Sequence, residues 1–371
     1  MSLYTIVDGI FISRFVGSNA LSSLNIVYPM INVVIAIATM FATGGNAIVS
    51  RYLGQGQEKQ AREALTEFVV IGVLISTVFA ALVILFEDSI CRFLGANDEL
   101  MADCKAYLTI SMLFAPACTL QTLFQSYFVT ASRPGLGLWL TVAAGILNAV
   151  LDYVLVVPIP LGIAGAALAT GFGQLLPAVV GLIFFAIPRK TLRFCRFSFR
   201  LREIRDACIN GSSEMIGQMA TAITTFLFNI ILMRLAGSDG VAAMTILFYG
   251  QFLFNAFYLG FAIGIAPVVG YQYGAGNRKE LRKIYRISFL FTVVSSIAMT
   301  LASIILATPI VSVFTKEPET FALADAGFKI FAVNFLFSGV NLVSSGFFTA
   351  LSNGKASAWI SFARTLLFMV G

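Results

Sequence analysis

The chain has 371 residues, of which 58% are hydrophobic and only 11% charged, with a net charge of +6. A water-soluble domain carries about 25% charged residues, so this chain has too few to cover a surface facing water. It has no histidine, and its five cysteines form no C-x-x-C pair, which argues against a zinc site or a Cys/His nucleophile.

Apolar stretches of about 20 residues, enough to cross about 30 Å of hydrocarbon, recur along the whole chain. In order they cover 21–47, 64–86, 106–130, 136–158, 162–187, 207–233, 241–267, 286–310 and 326–350. They are continuous rather than alternating, so they read as helices and not as barrel strands. The expected fold is an all-α polytopic membrane protein. Pro29, Pro116, Pro177 and Pro267 lie inside these stretches and are expected to kink them.

Partial stretches stand at both ends. Residues 3–14 amount to about 18 Å of helix, too short to cross. The final S-F-A-R-T-L-L-F-M-V-G is still strongly apolar, so both ends are expected to be cuts through membrane helices. About eleven helices are then present, the first and last partial. The opening M-S-L-Y-T-I-V-D carries neither the basic region nor the cleavage site of a secretory signal.

Basic residues crowd every second loop: Arg51, Lys59 and Arg62; Arg133; seven Arg and Lys within 188–205; Arg278, Lys279, Arg282, Lys283 and Arg286; Lys355. The positive-inside rule makes that side cytoplasmic. The run at 188–205 lacks any surrounding nucleic-acid-binding fold and is expected to be a linker lying on the anionic inner leaflet.

The sequence also repeats at an offset of about 220. F-A-T-G-G-N-A-I-V-S-R-Y-L-G-Q-G (41–56) aligns without gaps to F-A-I-G-I-A-P-V-V-G-Y-Q-Y-G-A-G (261–276), and S-R-F-V-G-S-N-A-L (13–21) to M-R-L-A-G-S-D-G-V (233–241). An even number of helices per unit makes these parallel repeats about an axis along the membrane normal. The expected organisation is an N-terminal lobe (1–187), a basic cytoplasmic linker (188–206) and a C-terminal lobe (207–371), two pseudo-symmetric six-helix halves suited to alternating access.

Three carboxylates stand inside apolar helices: Asp8, Asp152 and Glu214. A charge at the centre of a membrane helix costs about 2.5–3.5 kcal/mol on insertion scales, so each invites a functional reading. Asp152 lies one turn from Asn148, on the same helix face. An amide and a carboxylate there can hold a proton or offer oxygens to sodium; a structural hydrogen-bond network is the alternative. Glu214 stands in G-S-S-E-M-I-G-Q, where Ser212 and Ser213 offer it partners. Gln218 and Asn255 are further polar residues able to line a cavity or to bond between helices.

V-D-G-I-F-I-S-R-F-V-G-S-N-A-L-S-S-L (7–24), the paired segments at 52–57 and 272–277, and N-A-V-L-D-Y-V-L (148–155) together resemble the multidrug and toxic compound extrusion (MATE) family, specifically its bacterial multidrug-export branch. The resemblance extends over essentially the whole chain. It implies a twelve-helix transporter, here without the start of helix 1, the end of helix 11 and all of helix 12. It maps the family's cation or proton site onto Asp8, Asn148 and Asp152, and gives Glu214 a coupling or drug-binding role. Some members carry an acid in helix 10; none stands here between Phe328 and Ala350. The expected activity is export of amphipathic or cationic compounds in exchange for H+ or Na+, with no other cofactor, and with small drugs and the lipid bilayer as partners, no nucleic acid, and the chain a monomer. A lipid-linked saccharide flippase remains the alternative transporter, and an integral-membrane enzyme the alternative class.

Overall fold

The computed structural model describes residues 12–16, 18–188, 191–315 and 317–363. After a π-helical turn, Ile12–Val16, come α1 (Ser18–Gly54), α2 (Glu58–Leu85), α3 (Glu87–Phe93), α4 (Met101–Leu113), α5 (Ala115–Thr130), α6 (Pro134–Val156) and α7 (Gly162–Ala186). There follow α8 (Leu201–Gly274), α9 (Arg278–Ile305), α10 (Ala307–Phe314), α11 (Pro318–Ala350) and α12 (Gly354–Phe362). Among the described residues there is no strand, and seven helices are long and apolar enough to cross a membrane, or eight if the bent pair α4–α5 counts as one. The chain is an all-α, multi-pass membrane protein.

It divides into two compact units, Met1–Gly211 and Ser212–Gly371. The repeat is written into the backbone of both. α2 and α9 start at 58 and 278 and end at 85 and 305, an offset of 220 at each end. Gly56 and Gly276 take φ of 73° and 68°, while Ser132 and Ser352 both take 58°. The left-handed region is costly for a residue with a β-carbon, so the same turn geometry is imposed twice. Side chains follow the register too. The Gln125 amide donates to Thr141 Oγ1 at 3.1 Å in the first unit, and Ser345 meets Ser361 at 3.0 Å in the second.

The symmetry breaks at one proline. Pro116 lacks the N–H that would bond the Met112 carbonyl, and α4 and α5 meet there at 49°. Leu336 stands at the matching place, and α11 runs unbroken past it. The other prolines expected to kink helices, Pro29, Pro177 and Pro267, lie inside α1, α7 and α8, which continue past them. Within α8, Gly237 departs from helical geometry with φ 62° and ψ −151°, dividing it into the two stretches read from the sequence.

The packing is that of a protein solvated by lipid. On α9 the buried residues are Ser288, Thr292, Ser296 and Ser303, whereas Ile287, Leu290, Val294 and Leu301 are exposed. Small polar residues face the neighbouring helix and large apolar ones face outward, as close helix packing in a bilayer favours. Gly44 and Gly211 carry the tightest crossing of the first unit. A β-carbon at Gly44 would land on the Ala207 carbonyl oxygen, and one at Gly211 on that of Met40. Residues 201–211 of α8 are thereby fixed against α1.

The linker also belongs to the first unit's packing. Thr191 O accepts from Arg62 Nε at 2.6 Å, the Cys195 N–H donates to Thr66 Oγ1 at 3.2 Å, and the Arg200 N–H donates to Glu67 Oε1 at 2.6 Å. The Arg200 guanidinium bonds both Glu63 and Glu203, and the Tyr52 hydroxyl donates to Glu203 Oε1 at 2.9 Å. The bond to Glu203 raises the Arg200 pKa further above its ordinary value, keeping it charged.

Candidate coupling site

The site of greatest interest lies on α6. Most of this helix is apolar and outward-facing: Leu138, Trp139, Val142, Ile146, Val150 and Tyr153 are all exposed. Its buried residues, Gly137, Ala144, Asn148, Asp152 and Val156, form a single stripe with steps of four or seven. At 3.6 residues per turn, such steps stay on one face. Asn148 and Asp152, 1% and 0% exposed, therefore project into the first unit and away from lipid.

The stripe faces α7, which is built from small residues along its buried side: Gly165, Ala166, Ala169, Gly173 and Gly181 among them. A β-carbon at Gly173 would come 3.1 Å from Asn148 Cβ and 3.2 Å from the Ala144 carbonyl oxygen, so the two backbones cross closely beside the amide. Across from them, Phe114 at the α4–α5 junction and Phe124 of α5 press onto Gly171 and Gly181. The π-helical turn Ile12–Val16 packs on α1, α6 and α7. Among the described residues, neither Oδ1 nor Nδ2 of Asn148 has a hydrogen-bond partner. A buried amide in that state costs about 1–3 kcal/mol per unmet group.

Of the sequence-derived residues, Asn148 and Asp152 are thus brought together, and Asp8 lies outside the described residues. Glu214 and Gln218 are part-buried, one turn apart on α8 in the second unit. Ser213 beside them is buried and lies 3.3 Å from Thr349 on α11. Asn255, also part-buried, stands beyond the Gly237 break. Among the described residues no group of three His, Cys, Asp or Glu is arranged to hold a metal ion.

Among the buried polar residues that escaped the sequence reading are Gln121 and Glu67. Gln121 on α5 is fully buried, and neither amide atom has a partner among the described residues. Glu67 on α2 is 1% exposed and bonds the linker. Its signal was its place, three residues inside the apolar stretch beginning at 64.

The profile of the MatE family matches residues 1–154 and 215–371. The chain belongs to the MatE family. It is a membrane transporter, not an enzyme. The multidrug export protein MepA of Staphylococcus haemolyticus is 21% identical over 369 residues, covering 98% of this chain and 81% of that protein. A MATE transporter crystallised in complex with MaL6 superposes with a TM-score of 0.93 at 20% identity, over 99% of this chain and 82% of that one. A MOP-superfamily transporter from Pyrococcus furiosus, described as having a binding pocket of reversed polarity, gives 0.91 at 20% identity, covering 98% and 82%. This MatE transporter therefore has a fold shared by proteins with differing pockets, and its substrate class rests on its own residues.

Proposed function

We propose that the chain is a secondary active multidrug efflux transporter of the bacterial plasma membrane, exporting amphipathic or cationic compounds in exchange for H+ or Na+. The loop at 188–206 faces the cytoplasm, and transport proceeds by alternating access of the two lobes. One observation carries the reading: the single inward stripe of an otherwise lipid-facing helix holds a carboxylate and an amide one turn apart, both fully buried.

An ionisable side chain withdrawn from water is costly, and a membrane protein retains one where it exchanges an ion. Asn148 adds an amide oxygen one turn away and has no hydrogen-bond partner among the described residues, so the pair offers oxygens from two side chains to a proton or a sodium ion. The likeness to MepA and the acidic character of the candidate residues support cationic drugs as cargo.

Ethidium efflux from right-side-out membrane vesicles tests this, with a proton gradient or a sodium gradient imposed separately. Efflux driven by one gradient and abolished by its collapse is expected. Efflux indifferent to both gradients refutes ion exchange.

A further inference from the structure

The repeat places the first turns of α2 and α9 in the same register, yet their charges are opposite in kind. On α2, Glu58, Glu63 and Glu67 hold Arg62 and Arg200, and Lys59 stands 3.9 Å from Glu63. The matching positions on α9 are Arg278, Lys283 and Ile287. With Lys279, Arg282 and Arg286 they make five cations in the opening turns of α9, all exposed. None forms an ion pair among the described residues, and Glu280 is the one acid between them. Cations at a helix N-terminus oppose the helix dipole, so nothing local favours this arrangement.

The same face continues into apolar surface. Lys279, Lys283 and Arg286 are followed by Ile287, Leu290 and Val294, exposed by 59%, 64% and 57%. Arg286 and Leu290 are about 6 Å apart along the axis at 1.5 Å per residue. Tyr285, 51% exposed and stacked on Phe289 at 5.9 Å, stands at the change from charge to hydrocarbon. Aromatic residues favour that depth of a bilayer.

We infer that the start of α9 is a docking surface for anionic phospholipid. Phosphate groups seat on Arg278, Lys279, Arg282, Lys283 and Arg286, and the acyl chains lie along Ile287, Leu290 and Val294. A soluble acidic partner would match the charges but leave the adjoining apolar face unused. In the first unit, the acids on α2 take the linker instead, and the matching surface is neutralised from within. The inference stands apart from the choice of cargo or coupling ion.

The test is thermal unfolding of the purified protein in neutral detergent, titrated with dioctanoyl-phosphatidylglycerol, dioctanoyl-phosphatidylcholine, inorganic phosphate or polyglutamate. Stabilisation by phosphatidylglycerol alone is expected, weakening as salt rises. Each basic residue removed should weaken it about fivefold, so the pair Lys279→Gln/Lys283→Gln shifts the midpoint about 25-fold. The charge-conserving Arg278→Lys/Arg282→Lys/Arg286→Lys should keep most of the response. Equal responses to the two lipids, or a full response in the glutamine pair, overturn the inference. Matching stabilisation by phosphate reduces the surface to a general anion site, and by polyglutamate assigns it to an acidic protein; either also overturns it. Should the glutamine pair fail to fold, the lipid comparison and salt dependence in the unmodified protein decide the matter.

Discussion

Asn148 and Gly173 meet where α6 crosses α7, with only a hydrogen atom's room on the glycine side. Adding one methyl at 173 puts it 3.1 Å from Asn148 Cβ, tighter than ordinary carbon contact, and 3.2 Å from the Ala144 carbonyl oxygen. Backbone cannot rotate away as a side chain does, so the helices must part or the amide must move. Gly173→Ala is expected to cost about 1–3 kcal/mol of stability and to reduce transport severalfold. Unfolding temperature and efflux measured on the same preparation check both parts.

Gly211 is a more severe case, because a β-carbon there would fall on the Met40 backbone itself. Gly211→Ala should separate α1 from the start of α8 and destabilise the protein by more than Gly173→Ala does. Thermal unfolding of the two variants in one detergent gives the order. A Gly211→Ala protein as stable as the unmodified one would show that the crossing relaxes freely.

Arg200 ties the linker to α2 through Glu63 and its own N–H on Glu67, and it bonds Glu203 at the start of α8, which accepts from Tyr52 of α1. Arg200→Ala leaves Glu63 and Glu203 without their shared cation, while Glu67→Gln keeps an acceptor for the N–H. The former should expose 191–206 to trypsin at a much higher rate, and the latter should change cleavage little. Equal protection in both variants would mean that the N–H bonds from Phe194 to the Phe185 carbonyl and from Cys195 to Thr66 Oγ1 suffice.

Cysteine chemistry reports orientation. Burial pushes the Cys91 thiol up to about 11, so the reactive thiolate is scarce at pH 8 and grows about tenfold per pH unit toward that value. Cys195 sits in the linker, part-exposed. An impermeant maleimide should spare both in intact cells at pH 7.5 and label Cys195 once the membrane is opened. Labelling of Cys195 from outside would invert the topology.

Much of this was legible in the sequence for a plain physical reason: lipid demands continuous apolar helices, and loops display their charge. The Asn148–Asp152 face followed from spacing alone. Helix ends did not. α2, α9 and α11 begin at 58, 278 and 318 rather than 64, 286 and 326, because their polar opening turns continue the helix past the hydrocarbon, where hydropathy falls silent. The short helices α3 and α10, seven and eight residues long, went unread because they are too short to register as spans, although their starts, Glu87 and Ala307, are also 220 apart. Nor does hydropathy show that Glu67 turns inward to bond the linker: that depends on tertiary contact across more than a hundred residues.

The coupling role proposed for Asp152 is tested most directly by ethidium efflux from cells expressing the Asp152→Asn variant, with membrane abundance measured in parallel. The substitution keeps shape and removes the ionisable group, so packing of the stripe is largely retained. The account predicts near-normal abundance with coupled efflux lost. Undiminished, gradient-driven efflux by this variant would contradict it.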